Sequence, residues 1–104
     1  LFAMTAHIVY KNIDKYNCAT HSKKVISLIR NKIGFKNLII SDDISMKALN
    51  YSLKENIIKS FKAGCNLVLH CNGKLPEMVQ VAENSPIVNN FIIKKTSQFI
   101  NIIR

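Results

Sequence analysis

The chain has 104 residues, of which 48% are hydrophobic, and its 15 Lys and Arg against six Asp and Glu give a formal net charge of +9. This length fits one small domain or part of a larger one, and the hydrophobic content excludes a disordered chain. The charge favours acidic partners such as nucleic acid or anionic lipid. However, the lysines are scattered among many Ile and Asn residues, and the chain has no helix-turn-helix or RNA-binding signature, so we predict no nucleic-acid partner.

Apolar runs and cysteines narrow the class of protein further. Lys, Asn or Asp interrupts every apolar run well short of the roughly 20 residues that a membrane helix needs, so no membrane span is predicted. Cys18, Cys65 and Cys71 are an odd number without the dense spacing of a disulfide framework, which indicates free thiols in a reducing compartment. His21 and His70 lie close to cysteines, but no CxxC or HExxH motif is present, and we predict no metal and no cofactor.

The first predicted unit is a strand followed by a helix. The strand covers residues 2–4 and ends in the polar stretch 5–7. Thr20 or Ser22 is the expected N-cap of the helix, and Gly34 is expected to end it. Its apolar residues recur at helical spacing: Val25, Ile26, Leu28, Ile29 and Ile33.

The second predicted unit repeats this order. Residues 38–41 are nearly all apolar, as expected of a parallel strand covered on both faces, and Asp42 is expected to begin the exit loop. Ser52 with Glu55 three positions later forms a capping box, which predicts a helix that ends at residues 63–64. Its buried stripe is Leu53, Ile57, Ile58 and Phe61.

A third strand is predicted over residues 65–69, a short helix over 76–83, and a last helix within 87–104 after the break at Ser85-Pro86. Strands that alternate with helices over short connections define parallel βα units. Three such units leave two open sheet edges and seldom form a complete domain. We therefore predict an α/β fold that is the C-terminal portion, about three βα units, of a TIM (β/α)8 barrel, and we expect the chain to be a fragment.

Asp42 and Asp43 are the leading candidates for chemistry. They follow an apolar strand directly, and the carboxyl ends of strands are where parallel α/β folds place their active sites. Carboxylates beside buried β-branched residues need a hydrogen-bonding or charged partner, a solvent-filled cavity or a functional role. Because consecutive strand residues face opposite ways, one of the two can face the pocket while the other turns away, but periodicity alone does not choose between them.

Several short stretches together resemble the catalytic barrel of glycoside hydrolase family 3, and within it the bacterial β-N-acetylhexosaminidases of muropeptide recycling. The order and spacing of these stretches match from residue 1 to about residue 75, the motif-bearing part, while 76–104 form a C-terminal helical part of the same domain. The matching stretches are Met4-Thr5-Ala6-His7, Ser22, Ile29-Arg30, Ile33-Gly34-Phe35, Ile39-Ile40-Ser41-Asp42-Asp43, Ser45-Met46 and Ala63-Gly64-Cys65.

The resemblance implies a cytoplasmic, retaining β-N-acetylglucosaminidase that removes terminal N-acetylglucosamine from muropeptides without a cofactor. In this family the aspartate after the strand-end serine is the nucleophile, which corresponds to Asp42. Asp43 is too close to be the general acid, since paired glycosidase carboxyls act from different positions around the bond. We expect Asp43 to accept hydrogen bonds from backbone N–H groups of a loop or helix start.

Two further residues are candidate substrate contacts. His7 follows the strand before the nucleophile strand and is expected either to reach Asp42 or the sugar, or to bond the backbone as a structural histidine. Met46 either lines the pocket near the acetamido group or packs in the core. The resemblance implies that the proton donor is a histidine on an upstream loop, outside this chain, so His21 and His70 are expected to have structural or surface roles.

Three positions depart from the family pattern: Asn37 in place of a glycine, Cys18 in place of a proline, and Asn66 in place of an acid. They affect local packing rather than the assignment of Asp42. Two alternatives to an active glycosidase segment stay open. One is a non-catalytic remnant or split-gene product that lacks the N-terminal barrel units, and the other is a family 3 β-glucosidase-like fragment.

Overall fold

The structure is a computed structural model that describes residues 2–104. Three parallel strands form one sheet in the order β1-β2-β3, so that β2 lies at its centre. This is the α/β arrangement of parallel βα units that the sequence predicts. The elements are β1 (Phe2–Met4), a 3-10 turn (Ala19–His21), α1 (Lys23–Asn31), β2 (Leu38–Asp43), α2 (Leu53–Ala63), β3 (Leu67–Leu69), α3 (Leu75–Asn84) and α4 (Asn90–Ile103).

Strand β2 is longer than its apolar run. It continues through Asp43, which pairs with Leu69 of β3, so the prediction that the exit loop begins at Asp42 is wrong. Between the pairs Ile40–Leu67 and Asp43–Leu69, β2 has one more residue than β3, which makes an irregularity of the bulge type. The simple alternation of faces is therefore interrupted just before the two aspartates.

Strand β3 is shorter than predicted, because residues 65 and 66 belong to the turn that follows α2. The Cys65 N–H still bonds the Ser60 carbonyl at 3.1 Å, and the Asn66 N–H bonds the Ile39 carbonyl at 2.8 Å.

Burial raises the pKa of the Cys65 thiol to about 11, which keeps it protonated.

Helix α1 begins at the second of its two candidate caps. The Ser22 hydroxyl oxygen accepts a bond from the Val25 N–H at 3.1 Å and itself donates to the Asp14 carboxylate at 2.7 Å. The hydrogen bond from Ser22 and that from the Tyr16 N–H lower the pKa of Asp14 to about 2. The helix ends at Asn31, earlier than Gly34 suggested.

Helix α2 has both halves of the predicted capping box. The Ser52 hydroxyl accepts from the Glu55 N–H at 3.2 Å, and the Glu55 carboxylate accepts from the Ser52 N–H at 3.1 Å. Gly64 ends the helix with φ +120°, a conformation that side-chain-bearing residues rarely adopt. A Cβ atom there would also lie 2.9 Å from a methyl group of Ile26, so α1 and α2 pack closely at this point.

The last two helices differ from their predicted bounds by a few residues. Helix α3 includes Leu75, with Pro76 in its first turn. Helix α4 begins at Asn90, because the side chain of Asn89 accepts the Ile92 N–H at 2.9 Å and acts as N-cap.

No helix within residues 2–104 is long and apolar enough to span a membrane.

Two apolar clusters support the central strand. Ile39 is fully buried and packs with residues of α1, of α2 and of the turn after α2: Ile26, Ala63 and Cys65. The second cluster lies between the loop after β2 and helix α2, and consists of Ile44, Leu49 and Ile57. Both ends of β2 are thus held by packing, which positions the two aspartates at its carboxyl end.

Candidate active site

Asp43 is held by donors from two loops. Its Oδ1 accepts the N–H of Ser45 at 3.0 Å and the N–H of Cys71 at 3.1 Å, and the Ser45 hydroxyl lies 2.7 and 2.8 Å from its two oxygens. The Cys71 bond joins the loop after β2 to the loop after β3. The expectation that Asp43 bonds backbone N–H groups is confirmed.

These contacts also set the ionisation of Asp43. Burial works to raise its pKa, but the hydrogen bonds from Ser45 and Cys71, together with the nearby His70, outweigh burial and lower the pKa below its usual value. An ionised carboxylate whose oxygens already accept several bonds has no proton to donate near neutral pH. The arrangement argues against Asp43 as a general acid.

Asp42 has far fewer contacts. Within residues 2–104, its carboxylate accepts one hydrogen bond, from the N–H of Asp43 to its Oδ1 at 2.8 Å. The side chain is half-buried at the carboxyl end of the central strand. Asp42 is therefore the carboxylate of the pair with lone pairs left for a substrate.

The irregularity in β2 lies at the two aspartates. Ser41, which is fully buried, turns its hydroxyl oxygen to the Leu69 N–H at 3.0 Å, and the Ile44 N–H bonds the Leu69 carbonyl at 2.8 Å. At this irregular stretch, β2 therefore pairs with β3 partly through the Ser41 side chain instead of through backbone groups alone. Bulges of this kind re-aim side chains beside active sites.

His7 bonds the backbone at the end of β2. Its Nε2 lies 2.8 Å from the Asp43 carbonyl oxygen, and because a carbonyl only accepts, Nε2 carries the proton. Its Nδ1 lies 2.8 Å from the Thr20 hydroxyl, which in turn lies 2.8 Å from the hydroxyl of Thr5. His7 therefore links the ends of β1 and β2, and its observed contacts correspond to the backbone-bonding alternative.

Met46 lies in the turn after β2 and not at a helix start. Its N–H bonds the Asp43 carbonyl at 3.2 Å, which keeps the residue close to the aspartates. The residue is 43% exposed and belongs to neither apolar cluster. It is thus placed at the carboxyl edge of the sheet with its side chain available to a ligand.

The structure shows a contact of His70 that sequence reasoning missed, with Glu77. The His70 side chain is only 6% exposed, and its Nε2 lies 3.2 Å from Glu77 Oε1, which also accepts from the Asn72 amide at 2.9 Å. The bonds from Asn72 and His70 lower the pKa of Glu77. No spacing pattern in the sequence predicts this contact. The contacts between Asp43 and Ser45, in contrast, follow from the Asp-x-Ser pattern of a local turn.

Within the described part of the chain, His21 is not among the hydrogen-bond partners of the Asp42 and Asp43 carboxylates. Its Nε2 is buried and has no partner within the described part of the chain. Burial, followed by electrostatic interaction with Lys59 and His7, lowers the pKa of His21 to about 4. Within residues 2–104 there is no group of three His, Cys, Asp or Glu side chains placed to hold a metal.

The low pKa of His21 predicts a loss of stability in acid. Histidine titrates near pH 6.5 in an unfolded chain, so the unfolded state takes up this proton first. The contribution of neutral His21 to folding is complete above that pH and is lost as the pH falls toward 4. NMR titration of the imidazole should give a midpoint near pH 4. His21→Gln should remove this part of the pH dependence, and an unchanged acid limb in that variant would contradict the assignment.

A carboxylate pair at the carboxyl edge of helix-covered parallel strands is the arrangement of α/β-barrel enzymes. Comparison with known proteins identifies the family: residues 1–102 match Glycosyl hydrolase family 3 N terminal domain. The chain belongs to glycoside hydrolase family 3.

Individual relatives agree with this result. The chain is 41% identical to a beta-hexosaminidase of Nitrosomonas eutropha over 71 residues, which are 66% of this chain and 20% of the relative. It is 34% identical to a beta-hexosaminidase of Neisseria meningitidis serogroup C over 100 residues, 93% of this chain and 27% of that one. Among solved structures, the beta-N-acetylglucosaminidase from Thermotoga maritima matches with a TM-score of 0.67 and 32% identity over 91% of this chain and 23% of its own. The chain therefore spans about a fifth to a quarter of the length of these relatives.

Proposed function

We propose that this chain carries the nucleophile of a retaining β-N-acetylglucosaminidase, and that the nucleophile is Asp42. The observation that carries the proposal is the unequal engagement of the two aspartates. Asp43 accepts bonds from Ser45 and Cys71, while Asp42 accepts one bond from its neighbour's N–H. A nucleophilic carboxylate needs an oriented side chain with free lone pairs, and Asp42 meets both conditions.

The proposed reaction has two steps. An oxygen of ionised Asp42 attacks the anomeric carbon through an oxocarbenium-like transition state and forms a glycosyl ester, while the bond to the leaving-group oxygen breaks and that oxygen takes a proton from a general acid. Water then attacks the same carbon, the acid group acts as base, and Asp42 is released. The acid is proposed to come from the part of the barrel that the relatives have beyond the matched segment.

His7 and Met46 are proposed to support substrate binding in different ways. His7 holds the Asp43 carbonyl, and through it the backbone that carries Asp42, so its contribution to the sugar site is positional. The exposed Met46 side chain is proposed to contact the acetamido group of the sugar. We further propose residues 1–75 as the motif-bearing part of one domain and 76–104 as its helical part.

The proposed substrate is a muropeptide with a terminal non-reducing N-acetylglucosamine, processed in the cytoplasm. Support comes from the names of the relatives, which are beta-hexosaminidases and a beta-N-acetylglucosaminidase. The proposal of a reducing compartment is supported by the cysteines, which are odd in number and lack the dense spacing of a disulfide framework.

A chimera tests the proposal. In it, this chain replaces the 100-residue segment that it matches in the Neisseria meningitidis enzyme, and chromogenic β-N-acetylglucosaminide and β-glucoside are compared as substrates. We expect the chimera to prefer the N-acetylated sugar by roughly a hundredfold or more, because a site that bonds the acetamido group rejects a sugar lacking it. The chain alone should be inactive, since it lacks the proposed acid.

The Neisseria enzyme itself is the positive control, and circular dichroism verifies that the chimera folds. Preference for the β-glucoside would assign a β-glucosidase-like segment instead. A folded chimera that hydrolyses neither sugar would favour a non-catalytic remnant.

A further inference from the structure

A cavity of about 510 Å³ opens at the amino-terminal edge of the sheet, the edge opposite Asp42. It lies beside the residues that precede β2 and β3, and four of the eight residues that line it are Arg or Lys, while none is Asp or Glu. We call it the basic cavity, after its four positive side chains: Arg30, Lys36, Lys94 and Lys95. The proposed glycosidase chemistry makes no use of it.

Arg30 is oriented by neutral groups. Its Nη1 donates to the carbonyls of Phe35 and Asn37 at 3.0 and 2.6 Å, and its Nη2 donates to the Asn66 side-chain oxygen at 2.7 Å. Asn66 is in turn fixed by the Ile39 N–H, which donates to the same oxygen at 2.9 Å. Since a guanidinium has five N–H groups, the three bonds fix its plane and leave two donors, with its charge uncompensated.

The charge balance of the basic cavity favours an anion. The ion pairs within residues 2–104 involve His70, Lys74 and Glu77, and none includes a cavity residue. Helices α1 and α2 end near the cavity, and each carboxyl end contributes about half a negative charge. Four full positive charges exceed that contribution severalfold. Burial lowers the pKa of Arg30, as expected of a cation held partly away from water without a counter-ion.

The aromatic residues keep the cations together. The Phe91 ring on α4 lies 5.6 Å from the Arg30 guanidinium and 5.9 Å from the Lys95 ammonium, and the Phe35 ring lies 5.9 Å from Arg30 on the cavity wall. Such cation–π contacts place positive groups from α1 and α4 around one space. Helix α4 therefore contributes Lys94 and Lys95 to the lining of the cavity that also contains the fixed guanidinium.

We propose that the basic cavity binds a small phosphate-type oxyanion, either inorganic phosphate or a phosphate monoester, with Arg30 as the oriented donor and Lys94 and Lys95 as additional cations of the lining. A planar guanidinium with two free N–H groups suits two oxygens of one phosphate, and ammonium groups supply charge without a fixed direction. The four cations lie around one local, solvent-open cavity, which suits a small anion, whereas a nucleic-acid strand would need a basic stripe that extends along the surface.

NMR titration of the 104-residue chain with inorganic phosphate tests the proposal, with sodium chloride at equal ionic strength as reference. We expect saturable shifts of the Gly64 backbone N–H and the Asn66 side-chain amide, which both line the cavity. The double variant Lys94→Gln/Lys95→Gln should weaken binding by about tenfold, as loss of charge-assisted contacts predicts. A parallel titration with glycerol 1-phosphate distinguishes free phosphate from a monoester, and tighter binding of either supports the proposal.

The matched control is Lys47→Gln/Lys54→Gln, which removes the same net charge from exposed positions outside the basic cavity. This control should change the affinity less than about twofold, since screened surface charges act weakly over distance. Equal weakening in both double variants, or equal shifts with chloride, would overturn the proposal by showing a diffuse charge effect. Arg30 is not substituted, because its loss would also remove the hydrogen bonds that it donates to three acceptor groups of the fold.

Discussion

Asp42→Ala in the Neisseria chimera should lower kcat by roughly four orders of magnitude while leaving the fold intact, which is the scale on which removal of a covalent nucleophile acts. The carboxylate takes part in one hydrogen bond within residues 2–104, so its removal leaves few groups without a partner. Steady-state hydrolysis of the chromogenic β-N-acetylglucosaminide measures the effect. Thermal unfolding verifies that the variant remains folded.

Asp43→Asn is the matched control for this experiment. The amide keeps the size of the side chain and one acceptor oxygen for the Ser45 and Cys71 N–H groups, but it loses the charge that strengthens those bonds. We therefore expect a lower Tm and a much smaller loss of kcat than in Asp42→Ala. If Asp43→Asn lowered kcat more than Asp42→Ala does, Asp43 would be assigned as the nucleophile instead. Mass spectrometry of a trapped glycosyl ester would locate the attachment directly.

Ile39→Ala should have the largest effect on stability, about 2–5 kcal/mol in the free energy of unfolding. Ile39 is 0% exposed and packs among Ile26, Ala63 and Cys65, so truncation leaves a cavity between the sheet and two helices. A domain of this size is stable by only about 5–15 kcal/mol, so the loss is a large fraction of the total. Urea unfolding of the chain, followed by circular dichroism, measures it.

Two variants control for the position of the change. Ile39→Val removes one methyl group and should cost about 0.5–1.5 kcal/mol. Ile33→Ala truncates a residue that is 69% exposed, and should change stability by less than about 0.5 kcal/mol. Similar losses for Ile39→Ala and Ile33→Ala would mean that the Ile26, Ile39, Ala63 and Cys65 cluster is not the core of this sheet.

Much of the scaffold could be predicted because its signals are local. The Ser52 and Glu55 capping box joins residues three apart, and Ser22 caps α1 through the Val25 N–H. The apolar run at the start of β2 likewise predicts a buried parallel strand without knowledge of its neighbours. The family resemblance predicts that Asp42 is the nucleophile, which stays a prediction, and the family itself is confirmed.

The sequence by itself determined the α/β class, the order of the elements, and the position of the two aspartates at the end of β2. Only the tertiary structure decided how those aspartates differ, because that depends on partners far along the chain. Asp43 meets the Cys71 N–H 28 residues away, His7 meets the Asp43 carbonyl across 36 residues, and β2 has one more residue than β3 before the site. Strand register and loop packing bring such groups together, and neither spacing nor periodicity within one segment encodes them.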